Sequence, residues 1–337
     1  MSEKQSNRLA LSDYLVQKRN RRSKLDDINK MIDWRPIENK LKKVLKRTEN
    51  AVGKPAYPGL LMFKCLVLQR MYNLSDIELE NQLYDRNSFS RFIGLSMDDD
   101  IPDSITICRF RNELVGTRIC ENLFQRIMSQ IKGIGELKKG ICVDATIVES
   151  SRRPIKTLEV IPKDREEPDQ EEVIISYSDD TEAAWIKKGN KSQYGYKLHM
   201  ASDSETGLVL GGHITPANKS DMNELEQVLT EIPDVEGRCF ADKGYASAKN
   251  REIVKEHKLK DGIMHKAKRG KDLSVWEKLR NRCIIPIRSG IERIFGTFKR
   301  SYGFTRSQYV GKAKVEQEFY IIALAYNLTR LRNLCLT

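Results

Sequence analysis

Ile141-Cys142-Val143-Asp144-Ala145-Thr146-Ile147-Val148 is a short β-rich run, bounded by Gly140 and a polar cluster. Its length, its β-branched residues and its flanks predict a buried strand. Asp144 falls in the middle of it, where a carboxylate is costly unless it is paired or bound to a metal. Before this run the chain reads as helical, and after it short strands alternate with helices. The expected class is therefore α/β, with an all-helical region in front.

On the N-terminal side, residues 34–132 read as helices. Pro58 opens an amphipathic stretch through Tyr72. Ser75 predicts an N-cap, and Glu78 three residues on completes a capping box. Asp103 or Ser104 caps a further helix with Ile107, Phe110 and Leu114 on one side and Arg109 and Arg111 elsewhere. Short helices with tight turns are compatible with a DNA-contacting helix-turn-helix, and equally with any small helical domain. Residues 1–33 are a polar arm carrying Lys18-Arg19-Asn20-Arg21-Arg22-Ser23-Lys24. Such a run either touches phosphates or is simply solvated.

On the C-terminal side, residues 157–182 are acidic and contain Pro162 and Pro168, which predicts a surface loop or flexible insertion. Strands are expected over 196–202 and 208–215, joined by a turn at Ser204-Glu205-Thr206-Gly207. A helix over 221–230 follows, then a strand over 238–242 ending at Asp242. A helix over 249–257 and a strand over 261–265 come next. Pro286 reads as the opening of a helix through Arg300, since a missing N–H costs nothing in a first turn. A final apolar helix over 315–334 is expected to pack on the sheet. No fixed-period repeat is visible.

The chain has 337 residues and a net charge of +12. Between Lys243 and Thr337 lie 22 Lys and Arg against 8 Asp and Glu. The whole excess thus sits in the last third, which points to a polyanion, most often nucleic acid. No run of 18 apolar residues and no signal-peptide core occur, so no membrane association is expected. The 7 cysteines include no CxxC pair and read as reduced residues of a cytosolic protein.

Arg288, Glu292 and Lys299, at spacings of four and seven, share one helix face with Phe295. A carboxylate between two cations suits a site that holds a metal ion and a phosphate together. With Asp144 and Asp242 on separate strands, Glu292 completes a set of three acids. Hard oxygen donors of this kind suit Mg²⁺ or Mn²⁺. Taken singly, each acid could instead belong to a cap, a turn or a buried ion pair.

The ordered set resembles bacterial insertion-sequence transposases of the IS-five group, with an RNase H-like mixed sheet flanked by helices. Residues 34–115 resemble that group's N-terminal helical domain. Val143-Asp144-Ala145-Thr146 looks like its first-aspartate strand and Gly195-Tyr196-Lys197-Leu198-His199 like the next strand. Ala241-Asp242-Lys243-Gly244-Tyr245 looks like the second-aspartate block. Arg288, Glu292 and Lys299 fit the last three residues of a tyrosine–arginine–glutamate–lysine signature. Ile285 stands where the tyrosine is expected.

The resemblance implies an arm over 1–33, a DNA-binding helical domain over 34–132 and a catalytic domain over 133–337. It further implies Mg²⁺-dependent cleavage at terminal inverted repeats, then joining of 3′-hydroxyl ends to target DNA, with Mn²⁺ able to replace Mg²⁺. Asp144, Asp242 and Glu292 would be the catalytic acids and ligands of both ions. Arg288 and Lys299 would contact phosphates, and Arg293 and Arg300 would add to the DNA surface. Lys243 is a further phosphate contact or an exposed turn lysine. The partners would be double-stranded DNA, both element ends and target, and further copies of the chain in a homodimer or larger synaptic assembly. The setting would be a bacterial cytoplasm, at the nucleoid.

His199 and His213, on expected strands, read as hydrogen-bonded core or rim residues rather than ligands. Trp185 is expected to pack, with a DNA-facing role as the alternative. Trp276 packs or stacks on an unpaired base, and the 50-residue interval from Asp242 to Glu292 leaves room for at most a small β-insertion. Tyr302 and Tyr309 with Lys299, Arg300 and Arg306 form an aromatic–basic patch able to track a strand. Rival readings are a metal-dependent nuclease that cuts without joining, a transposase-derived DNA-binding protein, and a metal phosphatase. The basic C-terminal third speaks against the phosphatase.

Overall fold

The computed structural model describes residues 23–45, 55–96, 98–132, 140–161, 172–178 and 180–336. Residues form two compact units, one of 1–137 with 319–337 and one of 138–318. The expectation for the basic run concerns mainly residues outside the described ones.

The helical unit opens with α1 (Lys24–Met31), where Ser23 and Asp26 form a capping box. Leu25 and Ile28 of α1 are buried. The end of the expected arm is therefore a core helix, because apolar residues recur there at helical spacing. α2 (Arg35–Leu45) buries Ile37 and Leu41. α3 (Gly59–Tyr72) was expected to be amphipathic, but it is buried all round from Leu61 to Arg70. α2, α4 (Asp76–Asp85), α5 (Asn87–Ile93) and α6 (Ser104–Glu113) pack against it. Its polar members are absorbed by partners, with Lys64 Nζ donating to Asn29 Oδ1 at 2.8 Å and Gln69 Nε2 to Asp76 Oδ1 at 2.6 Å. The Ser75–Glu78 capping box of α4 forms as read. Asp103 caps α6 by accepting from the Thr106 amide at 2.6 Å. Ile107, Phe110 and Leu114 are buried, and α7 (Ile119–Lys132) follows.

The second unit holds β1 (Gly140–Glu149), β2 (Ile155–Ile161), β3 (Glu172–Ser178), β4 (Ala184–Lys188), β5 (Lys191–Asp203) and β6 (Val209–Pro216). After a 3₁₀ turn (Asp221–Asn223) come α8 (Leu225–Glu231), β7 (Arg238–Ala241), α9 (Ala248–Glu256), β8 (Lys260–Ile263) and α10 (Val275–Ser301). The main sheet runs β4-β5-β1-β7-β8, with β6 also on β5. β1, β5 and β6 are antiparallel, and β7 and β8 continue parallel to β1. This is the mixed sheet with flanking helices that the resemblance implies.

Directly paired residues point to one face, and neighbours along a strand to opposite faces. On one face lie Cys142 and Asp144, with α10 packed against β1 and β7; Cys142 Sγ is 3.6 Å from its hydrogen-bond acceptor, the Ile287 carbonyl. On the other face lie Ala145 and His199, which pair across β1 and β5, and His213, paired with His199. α8 packs there against β5 and β6. Gly140, at φ +135°, lets β1 start beside β7, since a Cβ would come within 2.4 Å of the Arg238 carbonyl oxygen.

Three expectations are corrected. Residues 157–182 are not simply a loop: β2 and β3 pair as an antiparallel ribbon. Asp180 nearby is buried, accepting from Ser150 Oγ at 2.7 Å and from the Tyr196 hydroxyl. Its acidic surroundings hid a side chain committed to the core. Pro286 lies inside α10 rather than at its start. The helix begins at the Ser274–Glu277 capping box, and its remaining i→i−4 bonds outweigh the one that Pro286 removes. The final helix, α11 (Lys312–Leu336), leaves the sheet unit after Glu318. From Phe319 on it belongs to the helical unit, where Tyr320 meets Phe124 at 5.6 Å and Arg332 Nε donates to Asp27 Oδ2 at 2.9 Å.

Candidate active site

β1 carries Asp144 out of a fully buried run of Ile141, Cys142 and Val143. Parallel pairing matches Val143 with Ala241, so Asp144 and Asp242 both come one residue after the last registered pair. Adjacent strands are about 4.8 Å apart, which makes the two aspartates neighbours at the end of β7. Asp242 caps the short turn Lys243–Tyr245, its Oδ1 accepting from the Gly244 amide at 2.6 Å. A Cβ on residue 244 would lie 2.8 Å from that same oxygen, which accounts for glycine two residues after the acid.

α10 supplies the third acid through an arginine. Arg288 Nη1 donates to Asp144 Oδ2 at 2.6 Å, and Nη2 donates to Glu292. Arg288 and Asp144 are mostly buried, whereas Glu292 is half exposed. Burial pushes the Asp144 carboxyl up to about 6; the Ala145 amide and Arg288 oppose that rise, and Asp242 and Glu292 add to it. One guanidinium therefore serves a set of three mutually repelling carboxylates.

Of the other expected site residues, Lys243 is exposed in the turn after Asp242. Lys299 lies three turns beyond Arg288 on the same face and is half-buried. Desolvation, with Lys188 adding to it, lowers its pKa. Arg293 and Arg300 are exposed but lie roughly 120–140° around the helix from Arg288. Ile285 is 52% exposed, an apolar side chain at the signature's tyrosine position.

The aromatic–basic patch is not assembled as expected. Tyr302 is buried, edge-on to Phe298 at 6.1 Å. Arg306 turns to Glu149, with Nη2 to Oε2 at 3.3 Å. Trp185 is half exposed and packs on Tyr194 across the strands at 5.2 Å. Trp276 is 65% exposed on the first turn of α10, beside Arg280 at 5.8 Å. Between Asp242 and Glu292 the chain forms the Lys243–Tyr245 turn, α9, β8, an isolated Lys268–Lys271 bridge and part of α10, with no large β-insertion.

Residues 135–328 match the family described as transposase DDE domain. The chain belongs to the DDE transposase family. A second family, described as a transposase domain (DUF772), matches residues 13–113. The transposase for insertion sequence element IS1106 of Neisseria meningitidis serogroup B is 36% identical over 228 residues, covering 67% of this chain and 77% of that protein. Among solved structures, a piggyBac transposase synaptic complex with hairpin DNA aligns at 13% identity and TM-score 0.46, over 94% of this chain and 76% of the other. A Mos1 transposase paired-end complex aligns at 12% identity and TM-score 0.22, over 78% and 83%. This DDE transposase is thus an enzyme of DNA transposition, and its family normally uses divalent metal ions.

Asp144, held up mainly by burial and further by the charges of Asp242 and Glu292, lies beside Asp242 and is joined to Glu292 through Arg288, and these oxygen donors are of the kind that suits such an ion. Two structural residues escaped the sequence reading. Tyr245 is 1% exposed, and burial, with Asp221, Asp144 and Asp242 adding to it, raises its hydroxyl's pKa; only its place in the Asp-Lys-Gly-Tyr block signalled it. Arg111, read as lying off the core face, is buried in an ion pair with Asp76. In sequence it is one more basic residue on a helix.

Proposed function

We propose that this transposase cleaves DNA at the terminal inverted repeats of its mobile element and joins the 3′-hydroxyl ends to target DNA. Asp144, Asp242 and Glu292 hold two Mg²⁺ ions, with Mn²⁺ as a substitute. The observation that carries this reading is Arg288 bridging Asp144 and Glu292 beside β7, which Asp242 directly follows. Bound ions would lower the pKa of a water or a 3′-hydroxyl and stabilise the leaving oxygen.

The protein's own groups act by holding and orienting. The acids move no proton themselves. Arg288 presents a planar fork that can leave a carboxylate for a phosphate bidentately. Lys299, partly desolvated on the same face, offers a point charge to a neighbouring phosphate, and Lys243 another from the turn. Arg293 and Arg300 face a different flank of α10 and suit more distant backbone contacts. Joining two ends requires two ends held together, so a homodimer or larger synaptic assembly on double-stranded DNA is part of the proposal.

The test supplies purified protein and Mg²⁺ with labelled DNA flanking its own gene, both edges paired, and a supercoiled target. Cleavage at both edges followed by joined product is expected. Cutting without joining would favour a nuclease, and binding with no cutting in either ion would favour a DNA-binding derivative.

A further inference from the structure

The face of the sheet turned away from Asp144 carries a second polar cluster. His199 on β5 and His213 on β6 are directly paired, and their rings stack at 5.1 Å with 21° between planes. His199 is fully buried and His213 nearly so. Glu224 Oε2 lies 2.9 Å from His213 Nε2, and Glu231 Oε2 lies 3.6 Å from His213 Nδ1. One ligand atom each from His199, His213 and Glu224 falls within 4.8 Å of the others. His199 Nε2 is hydrogen-bonded to Thr215 Oγ1 at 2.9 Å, while its Nδ1 has no hydrogen-bond partner among the described residues.

We infer that His199, His213 and Glu224 form a Zn²⁺ site, separate from the catalytic acids and on the opposite face of the sheet. Two imidazoles and a carboxylate are a borderline nitrogen–oxygen set, which suits Zn²⁺ better than Mg²⁺. His199 already has what a ligand needs: a buried nitrogen with no hydrogen bond, 4.0 Å from Asp221 Oδ1, and a second nitrogen held by an outer group that orients the ring. Burial, with His213 and Lys197 adding to it, pushes His199 down to about 3, so it is neutral with its lone pair available. Burial works against charge on His213 as well, but Glu231 and Glu224 outweigh it and raise its pKa. Two carboxylates around one imidazole leave negative charge in excess, which a divalent cation would neutralise. The ion would tie β5 and β6 to the segment that leads into α8. It is independent of the reading of the acids as catalytic.

The test uses the full chain carrying Asp144→Asn and Asp242→Asn, so that the catalytic acids cannot account for binding. One equivalent of Co²⁺ should give the visible absorption of a low-coordinate nitrogen–oxygen site, bleached by equimolar Zn²⁺. His199→Gln and His213→Gln should abolish that band. Thr215→Val keeps all three ligands and removes only the outer hydrogen bond; it should weaken Zn²⁺ binding about 10–100-fold. In the metal-free state its circular dichroism should match the parent, which keeps the test valid if a histidine variant fails to fold. No Co²⁺ band, a band that appears only with Asp144 and Asp242 intact, or unchanged affinity in Thr215→Val would overturn the assignment.

Discussion

Arg111 in the helical unit and Arg288 in the sheet unit each hold carboxylates, yet their surroundings differ. Arg111 closes a small ring: it pairs with Asp76, donates to Gln69 Oε1 at 3.2 Å, and Gln69 Nε2 in turn donates to Asp76. The ring is largely out of water, and one arginine faces one carboxylate and one amide. Arg288 instead stands between Asp144 and Glu292 with Asp242 alongside, so the acids outnumber it. Glu292 is 54% exposed. A closed ion pair holds a fold together, whereas an open one with surplus negative charge is built to exchange partners.

The sharpest break of this comparison concerns the acids. Asp144→Asn, Asp242→Asn and Glu292→Gln should each reduce Mg²⁺-dependent cleavage of the element's ends below detection. Normal cleavage in any of the three would remove that residue from the site. Arg288→Ala should follow, lowering cleavage by about 10²–10³-fold through loss of a preorganised charge on the phosphate. Its melting temperature should change little, and a large fall there would make Arg288 another Arg111.

Arg111→Ala should show the opposite pattern. It leaves Asp76 and Gln69 without their shared donor inside the helical unit. Chemical denaturation should report a loss of up to about 3 kcal/mol, the scale for breaking a buried pair. Unaltered stability would mean that water reaches the ring.

The pH response of the metal-free protein gives a smaller effect. Burial pushes the folded Asp144 carboxyl up to about 6, from an ordinary value of 3.8. The folded state therefore holds this proton more tightly than the unfolded one, and the group's unfavourable burial grows as pH rises from about 4 to about 6. Asp144→Asn lacks that charge. Without metal it should match the parent near pH 4 and exceed it above pH 6, by about 1–3 kcal/mol. A constant difference across that range would mean that Arg288 alone governs the carboxyl. The smallest effect is expected for Lys299→Ala, which should lower the salt slope of DNA binding by about one phosphate contact.

Much of the site was legible in the chain. Asp144 and Asp242 sit on short β-rich runs, and the four-residue step from Arg288 to Glu292 puts both on one helix face whatever the rest of the fold does. These are properties of local periodicity, which depends only on neighbours in sequence. The caps at Ser75 and Asp103 are readable for the same reason, and Ser274-Val275-Trp276-Glu277 carries the same signature ahead of Pro286. Proline is a strong breaker on average, but a helix already capped and packed on β1 and β7 accommodates it.

Other features depended on distant partners. That α3 is buried on all sides follows from the helices around it, not from its own pattern. Asp180, Arg111 and Tyr302 look like surface residues until their partners are in place, because burial of a polar group is decided by what closes over it. The pairing of His199 with His213, and their place on the face opposite Asp144, follow from the register of β5 against β1 and β6. The sequence by itself determined which residue types lie on each strand and helix face. Only the tertiary structure decided which of those faces meet, since strand order and register set the long-range distances that local rules leave free.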